Sequence, residues 1–237
     1  MRGRARDLWY DGGGAVMRCG WMVALFALIS ADPARADVTA RYSQPDGPPI
    51  VIQANDRGDS RMAVTDGVYV SRNGVTHMIL TLRDSTIVVR QEDFLAVIAE
   101  FVAAARPPGT PAGGRIEISE HGREMVGGRG GTVFRVSEAG EAQALEFVIS
   151  TDADLAPIAR AFRAQFLPFF AAQGASPPGV TEAMTDLLSR GALIRFGDMF
   201  RLESIDATPV AEAAFDLPSA PISRDALRAR LLSEADR

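Results

Sequence analysis

The stretch Val68-Tyr-Val-Ser-Arg-Asn-Gly-Val-Thr-His-Met-Ile-Leu80 decides the fold, because it predicts two strands joined by a tight turn. Valine, isoleucine, threonine and tyrosine are enriched in strands. Asn73-Gly74 lies between the two apolar runs and is a strong signal for a two-residue hairpin, since both residues accept a positive φ. The second strand is predicted to run from Val75 to Leu82. The N-terminal half is therefore expected to contain an antiparallel pair.

Apolar and polar residues alternate on both sides of this hairpin. Asp66-Gly67 supplies another turn signal before it, and Arg83-Asp84-Ser85 separates it from the next strand. The flanking apolar positions are Val38, Ala40, Tyr42, Ile50, Ile52, Met62, Val64 and the stretch from Thr86 to Val89. About six short strands with turns between neighbours predict an antiparallel meander.

The spacing of apolar residues becomes helical after the meander. It predicts an amphipathic helix over residues 92–105, which Pro107-Pro108 would stop, and a loop over residues 106–114. A second helix is predicted to begin at Asp152 or Asp154, because either carboxylate can cap it. Pro168 is expected to kink or end this second helix. A third helix is predicted over residues 180–190, with Gly191 as its C-terminal cap.

Strand patterns return around these helices, and together they predict an α+β fold. The predicted strands begin at Ile116 and Ile118 and continue with Glu124 to Val126, Thr132 to Val136, Leu145 to Ser150, Leu193 to Phe196, Phe200 to Ile205 and Ala214 to Leu217. Ser223 is expected to cap a last short helix that bears Leu227 and Leu231. A curved antiparallel sheet must cover its concave apolar face, and the two helices rich in phenylalanine are expected to cover it.

The first 36 residues predict a leader that ends in a signal peptide. Arg18 supplies a positive charge, the nine residues from Trp21 to Ile29 are apolar, and Ala34-Arg35-Ala36 fits the small-x-small cleavage rule. Met17 is the expected translation start. The apolar run is too short to cross a bilayer, which needs about 20 residues. We therefore expect cleavage after Ala36, a periplasmic location, no membrane span after cleavage, and a single domain over residues 37–237.

The composition excludes several functions. The chain has a net charge of −5 and contains no lysine, and its two tryptophans and its one cysteine all lie in the predicted leader. A negative protein has no electrostatic reason to bind nucleic acid. Without lysine or cysteine, the remaining domain offers no Schiff-base chemistry, no P-loop lysine and no disulfide. No cofactor is expected.

No catalytic residue and no metal site is predicted. His77 and His121 are the only histidines and lie on different predicted elements, whereas a transition-metal site needs several closely placed His or Cys ligands. No serine has glycine at both i−2 and i+2, so the nucleophile elbow of hydrolases is missing. The acidic residues Glu92 and Asp93 lie where a helix begins, where carboxylates stabilise the helix dipole.

The run Gly127-Gly-Arg-Gly-Gly131 has the composition of a phosphate loop but not its context. A dinucleotide loop follows a strand and opens a helix, whereas this run is followed by the predicted strand Thr132 to Val136. A hairpin connection is the first interpretation. The alternative is a mobile loop at the rim of a ligand site, with Arg129 facing an anionic group.

The phenylalanines of the two long helices allow two interpretations. They either fill a core against the sheet, or they border an under-filled interface that admits an apolar guest. The residues that would line such a cavity are Phe94, Ile98, Phe101, Phe162, Phe166 and Phe169, with His77 from an otherwise apolar strand.

Three stretches carry a resemblance to a known family. They are Tyr69 to Gly74 leading into Met78-Ile-Leu80, Gly122 to Gly128 followed by Phe134-Arg-Val136, and Phe200 to Ile205 closing with Phe215-Asp-Leu-Pro218. The chain resembles the LolA-like (lipoprotein-carrier) half-barrel superfamily and, more narrowly, an uncharacterised group of exported bacterial proteins. The resemblance implies a half-barrel sheet, helices that plug its open side, and an apolar cleft between them. It implies no catalytic residues.

Three functions follow as expectations. The first is a non-enzymatic periplasmic protein that binds an apolar ligand, an acyl chain or a lipidated partner in the helix–sheet cleft. The second is a structural or protein-interaction domain of the cell envelope with a filled core. The third is a cryptic hydrolase.

Overall fold

The computed structural model describes residues 37–65, 67–83, 85–105, 115–139, 144–172 and 179–235. The predicted leader and signal peptide lie outside the described residues. The predicted loop over residues 106–114 and most of the loop before the third helix also lie outside them.

The described residues form eleven strands in one open antiparallel sheet. The strands are β1 (Val38–Ser43), β2 (Ile50–Ala54), β3 (Ser60–Val64), β4 (Gly67–Arg72), β5 (Val75–Leu82), β6 (Ser85–Arg90), β7 (Ile116–Val126), β8 (Arg129–Glu138), β9 (Ala144–Ser150), β10 (Ala192–Phe196) and β11 (Phe200–Asp206). Their order across the sheet is β6-β5-β4-β3-β2-β1-β11-β10-β9-β8-β7. The predicted N-terminal meander is therefore confirmed, and β6 and β7 are the edge strands.

Four α-helices accompany the sheet in the described part of the chain. They are α1 (Gln91–Ala105), α2 (Ala156–Ala172), α3 (Val180–Ser189) and α4 (Arg224–Ala235). α2 packs against β1 to β4 and β10, α1 against β5 and β6, and α3 against α2 and β7. α4 packs on α1. The predicted α+β class, a curved antiparallel half-barrel sheet whose concave face is covered by helices, is confirmed.

The central hairpin forms as the sequence predicts. Arg72 pairs with Val75, so Asn73 and Gly74 alone connect β4 to β5. Their φ angles of 52° and 77° are the positive values that a type I′ turn requires.

The glycine run forms a hairpin connection, as predicted, and part of its role is steric. Gly127 and Gly128, with φ angles of 55° and 76°, make the two-residue turn between β7 and β8. A Cβ on Gly127 would stand 2.7 Å from the Leu202 carbonyl oxygen, and one on Gly131 would stand 2.6 Å from a methyl carbon of Val148. Glycine therefore lets this hairpin lie close against β9 and β11.

Of the two alternatives predicted for Pro168, an end of the helix is wrong, and the predicted cap at Gly191 is wrong as well. α2 does not end at Pro168 but continues to Ala172, because Phe169 and Phe170 beyond the proline pack against the apolar clusters and offset the helical hydrogen bond that proline removes. Gly191 is not a left-handed cap; α3 ends at Ser189 with Arg190 in right-handed conformation. A Cβ on Gly191 would stand 2.2 Å from the Ser150 carbonyl oxygen, so this glycine serves the close approach of β10 to β9.

The predicted strand Ala214 to Leu217 is also wrong. A short 3-10 helix, Glu212–Phe215, forms there instead and packs against β3 and β4. Phe215, which is 2% exposed, anchors it to the convex face of the sheet. The tail then passes the edge strand β6, where the Ile222 N–H donates to the Val88 carbonyl oxygen at 2.8 Å. It ends as α4, so the C-terminal tail wraps around one edge of the sheet.

Candidate functional site: the helix–sheet interface

The larger apolar cluster, which we call the main core, lies between α2, α3 and the middle strands on the concave face. Tyr42, Phe162 and Phe200 form its centre, with ring centroids 5.6 to 5.8 Å apart. The Tyr42 hydroxyl donates to the Leu193 carbonyl oxygen at 2.9 Å, and complete burial raises the pKa of this phenol. These side chains are 0 to 7% exposed. The main core is well packed around its centre.

A second apolar cluster, which we call the lid cluster, lies between α1, α4 and strands β5 and β6. Its buried members are Met78, Ile87, Val89, Val97 and Leu227, and its partly buried members include Phe94, Phe101, Phe169, Ile222 and Leu231. In contrast to the main core, all of its phenylalanines retain some exposure. Tyr69 packs against both clusters and contacts Phe169 edge-on, with ring centroids 6.0 Å apart.

Helix α4 closes the lid cluster with few apolar contacts. Leu227 is fully buried and Leu231 is half-buried, whereas the next residue, Leu232, is 48% exposed. Polar contacts hold the other side of the helix: ion pairs of Arg224 with Asp93 at 3.0 Å, Arg228 with Glu100 at 2.9 Å and Glu234 with Arg83 at 3.1 Å, and a hydrogen bond from Arg230 to the Ser85 hydroxyl at 2.6 Å. Largely exposed ion pairs contribute little to stability. The apolar attachment of α4 therefore rests mainly on Leu227 and Leu231.

A row of buried polar side chains, which we call the polar row, crosses the concave face beside both clusters. Its members are Ser60, Ser71, Thr76, Gln91 and Gln165, of which all but Thr76 are 1 to 3% exposed. Ser60, Ser71 and Thr76 are cross-strand neighbours on β3, β4 and β5. The Ser71 and Thr76 hydroxyl oxygens are 2.8 Å apart. The row therefore crosses three strands where α1 begins.

Gln165 joins the polar row to helix α2. Its Nε2 donates to the Ser60 hydroxyl at 3.3 Å, and its backbone carbonyl accepts from the Gln91 Nε2 at 2.7 Å. Its Oε1 is buried and has no hydrogen-bond partner. On the helix, Gln165 lies between Phe162 and Phe169 at spacings of one turn, which places it on the border of the main core and the lid cluster.

The structure divides the predicted cavity residues between the two clusters. Phe162 is buried in the main core, and Phe166 stacks on it with ring centroids 5.2 Å apart. Phe94, Phe101 and Phe169 belong to the lid cluster. Ile98 is half-buried on α1. Of the predicted set, only the three phenylalanines of the lid cluster lie together at a partly open position.

His77 does not lie near the phenylalanines of α1 and α2. It alternates with Met78 on β5 and therefore faces the convex side, next to Val70 and Arg90 in the neighbouring strands. There it borders a surface hollow of about 430 Å³ together with Phe215 and Leu217. Burial, and secondly the charge of Arg90, lower the pKa of His77. The expectation that His77 shares a cavity with the phenylalanines fails because the strand pleat turns it away.

Arg129 faces anionic groups of its own chain. It forms ion pairs with Asp152 and Asp154, which precede α2. The Arg129 hydrogen bond is the largest cause that lowers the pKa of Asp152, whose Oδ1 also caps the Asp154 N–H at 3.1 Å. These contacts tie the β7–β8 hairpin to the start of α2.

The other charged network also links strands. Arg195 on β10 is 12% exposed and lies 2.9 Å from both Glu124 on β7 and Glu146 on β9. Hydrogen bonds from Arg195 and then Arg135 lower the pKa of Glu146. His121 on β7 contacts Arg135 at 2.8 Å. Within the described ranges, no three His, Cys, Asp or Glu side chains are grouped so that they could hold a metal ion.

The sequence reasoning missed the polar row. Ser60 follows Gly58-Asp59 and has the sequence context of a turn residue, and nothing local marks Ser71 or Gln91 as buried. One signal did exist for Gln165: it interrupts the apolar stripe of α2 at a position where every neighbour one turn away is apolar.

Together these features define the class of the chain: an α+β protein with an open, curved antiparallel sheet and helices on its concave face. No family model matches this chain, and no curated protein matches it either. None of the helices in the described ranges is both long enough and apolar enough to cross a membrane.

Proposed function

We propose that this chain is a non-enzymatic periplasmic protein of LolA-like fold that binds an apolar ligand at the lid cluster. The ligand class is an acyl chain, either free or attached to a lipidated partner. The location rests on the signal peptide predicted up to Ala36, and the fold family rests on the resemblance of three sequence stretches.

The observation that carries the proposal is the incomplete closure of the lid cluster. Phe94, Phe101 and Phe169 are large apolar side chains that keep some exposure although they face other apolar groups. An acyl chain binds in a site that is lined mainly by apolar side chains. The apolar contacts of α4 come mainly from Leu227 and Leu231, so in this proposal α4 is the helix that moves to admit the chain.

A protein-interaction domain with a filled core is the second candidate. The close packing of Tyr42, Phe162 and Phe200 favours it, since this part of the interface is already occupied by the chain's own rings. The two candidates differ in one property: only the first requires a site that an apolar molecule can fill.

Thermal stabilisation by a neutral acyl compound tests the proposal. The delipidated protein is titrated with methyl dodecanoate, and the unfolding temperature is measured by circular dichroism. A ligand at about 100 times its Kd raises Tm by about 5–10 °C for a domain of this size. A Tm that does not change at saturating ligand would exclude an acyl site.

Two neighbouring leucines provide the matched variants. Leu231→Arg places a charge in the lid cluster and should abolish the stabilisation, whereas Leu232→Arg lies on the exposed side and should retain it. Equal responses of the two variants would place the ligand elsewhere. Extraction and mass spectrometry of compounds that co-purify with the native protein would identify the natural ligand.

A further inference from the structure

The unpaired Oε1 of Gln165 is the feature that neither the fold nor the packing explains. The Gln165 side chain is 1% exposed, so bulk water does not reach this oxygen. A buried polar atom without a hydrogen bond destabilises a fold by about 1–3 kcal/mol. An apolar residue at this position would avoid the loss, because Phe162 and Phe169 lie one turn away on the same stripe.

The neighbouring polar groups do not supply the missing donor. The Gln91 Nε2 donates to the Gln165 backbone, and the Ser60 hydroxyl accepts from the Gln165 Nε2. In the Ser71–Thr76 pair, one hydroxyl proton lies between the two oxygens, which leaves the other proton for a further acceptor. The Ser60 hydroxyl also keeps its own proton, but no donor lies within hydrogen-bond distance of the Gln165 Oε1. The polar row therefore offers one unpaired acceptor, at Gln165, and hydroxyl protons at Ser60 and at the Ser71–Thr76 pair.

The position of this acceptor points to a ligand that enters through the lid cluster. Gln165 lies on the border of the two clusters, where the apolar surface of the lid cluster ends. The members of the polar row are all uncharged, so a charged head group would be buried without a counter-charge. A carboxylate is excluded more strongly, since it presents only acceptors to the Gln165 oxygen.

From these contacts we infer that the acyl ligand carries an amide linkage, whose N–H donates to the Gln165 Oε1 and whose carbonyl accepts from a hydroxyl of the polar row. This inference rests on the proposed function, because it assigns the apolar part of the same ligand to the lid cluster. The ligand class is thereby narrowed from acyl chains in general to neutral N-acyl compounds.

Two amides that differ by a single N–H test the inference. N-methyldodecanamide has the N–H, and N,N-dimethyldodecanamide replaces it with a methyl group. We expect the unaltered, delipidated protein to bind the first about tenfold more tightly, which is the effect of one hydrogen bond to a buried acceptor. Binding is measured by isothermal titration calorimetry.

Gln165→Leu provides the matched variant. It should bind both amides with similar affinity, and its Tm should equal or exceed that of the unaltered protein because the unpaired oxygen is gone. Gln53→Leu, a glutamine on the opposite face of β2, should keep the tenfold preference. The comparison of the two amides on the unaltered protein holds even if a variant folds poorly.

Failure of the amide inference can be distinguished from failure of the proposed function. If both amides and methyl dodecanoate bind with equal affinity, the acyl site stands and the inference is wrong, and a buried water then occupies the place of the amide. If none of the three compounds binds, the inference and the proposed function are both wrong.

Discussion

The main core and the lid cluster lie on the same concave face and are closed in different ways. The main core is covered by α2 and α3, which follow one another in the chain, and Tyr42, Phe162 and Phe200 fill its centre. The lid cluster is covered by α1 and by α4, which reaches it only after the tail has wrapped around β6. One face of the sheet thus combines a cluster filled by large buried rings with a cluster whose outer helix has only two apolar anchors.

The largest effect is expected from Phe162→Ala. Removing a ring from a close-packed site leaves a cavity and should reduce the free energy of unfolding by about 3–5 kcal/mol. Phe94→Ala in the lid cluster should reduce it by only about 1–2 kcal/mol, because that ring is partly exposed. Urea denaturation of both variants measures the difference. Equal losses would show that the main core and the lid cluster are equally well packed.

A smaller and more local effect is expected from Leu227→Ala. This leucine is fully buried and anchors α4, so its truncation should cost about 2–3 kcal/mol. Hydrogen exchange should show faster exchange of the α4 amides, while the amides of β1 and β2 remain protected. Leu232→Ala on the exposed side of α4 serves as the control and should leave exchange unchanged. Faster exchange throughout the sheet would contradict a separable lid.

The smallest effect is expected at low pH from Asp152→Asn. The hydrogen bond from Arg129 lowers the pKa of Asp152 in the folded state below its ordinary value of 3.8. The ion pair therefore stabilises the protein fully above that value, and the contribution is lost as the pH falls through the lowered pKa. Asparagine keeps the cap of the Asp154 N–H but not the charge.

Denaturation at several pH values measures this contribution. Between about pH 5 and pH 2 the unaltered protein should lose more stability than Asp152→Asn, by less than about 1 kcal/mol for a partly exposed pair. A loss of the same size in both proteins would mean that Arg129 and Asp152 do not interact in solution.

The N-terminal half of the sheet could be predicted because its signals are local. Alternating apolar residues define β1 to β6, and the Asn73-Gly74 turn fixes the register of β4 on β5. Neighbouring strands follow each other in the chain, so each pairing needs only the turn that precedes it. The helical spacing of α1 and α2 is equally local.

The C-terminal tail and the polar row could not be predicted because their partners are distant in sequence. Phe215 alternates with Leu217 as in a strand, yet it is anchored on a face of β4 that only the folded sheet creates. The orientation of His77 could not be predicted either, because the sequence does not show which of the alternating residues His77 and Met78 faces the helices. The polar character of Gln165 was visible, but its missing partner appears only when Ser60 and Gln91 are placed beside it.

The wrapped tail has a consequence for association between molecules. A sheet that recruits further copies by strand addition needs a free edge at both ends, and here the backbone at β6 is already engaged by Ile222. Among the described residues β6 and β7 are the two edge strands, and the tail contacts the backbone of β6. Strand addition along β6 would therefore compete with the tail at Val88, so polymers that use both edges would require the tail to move away first.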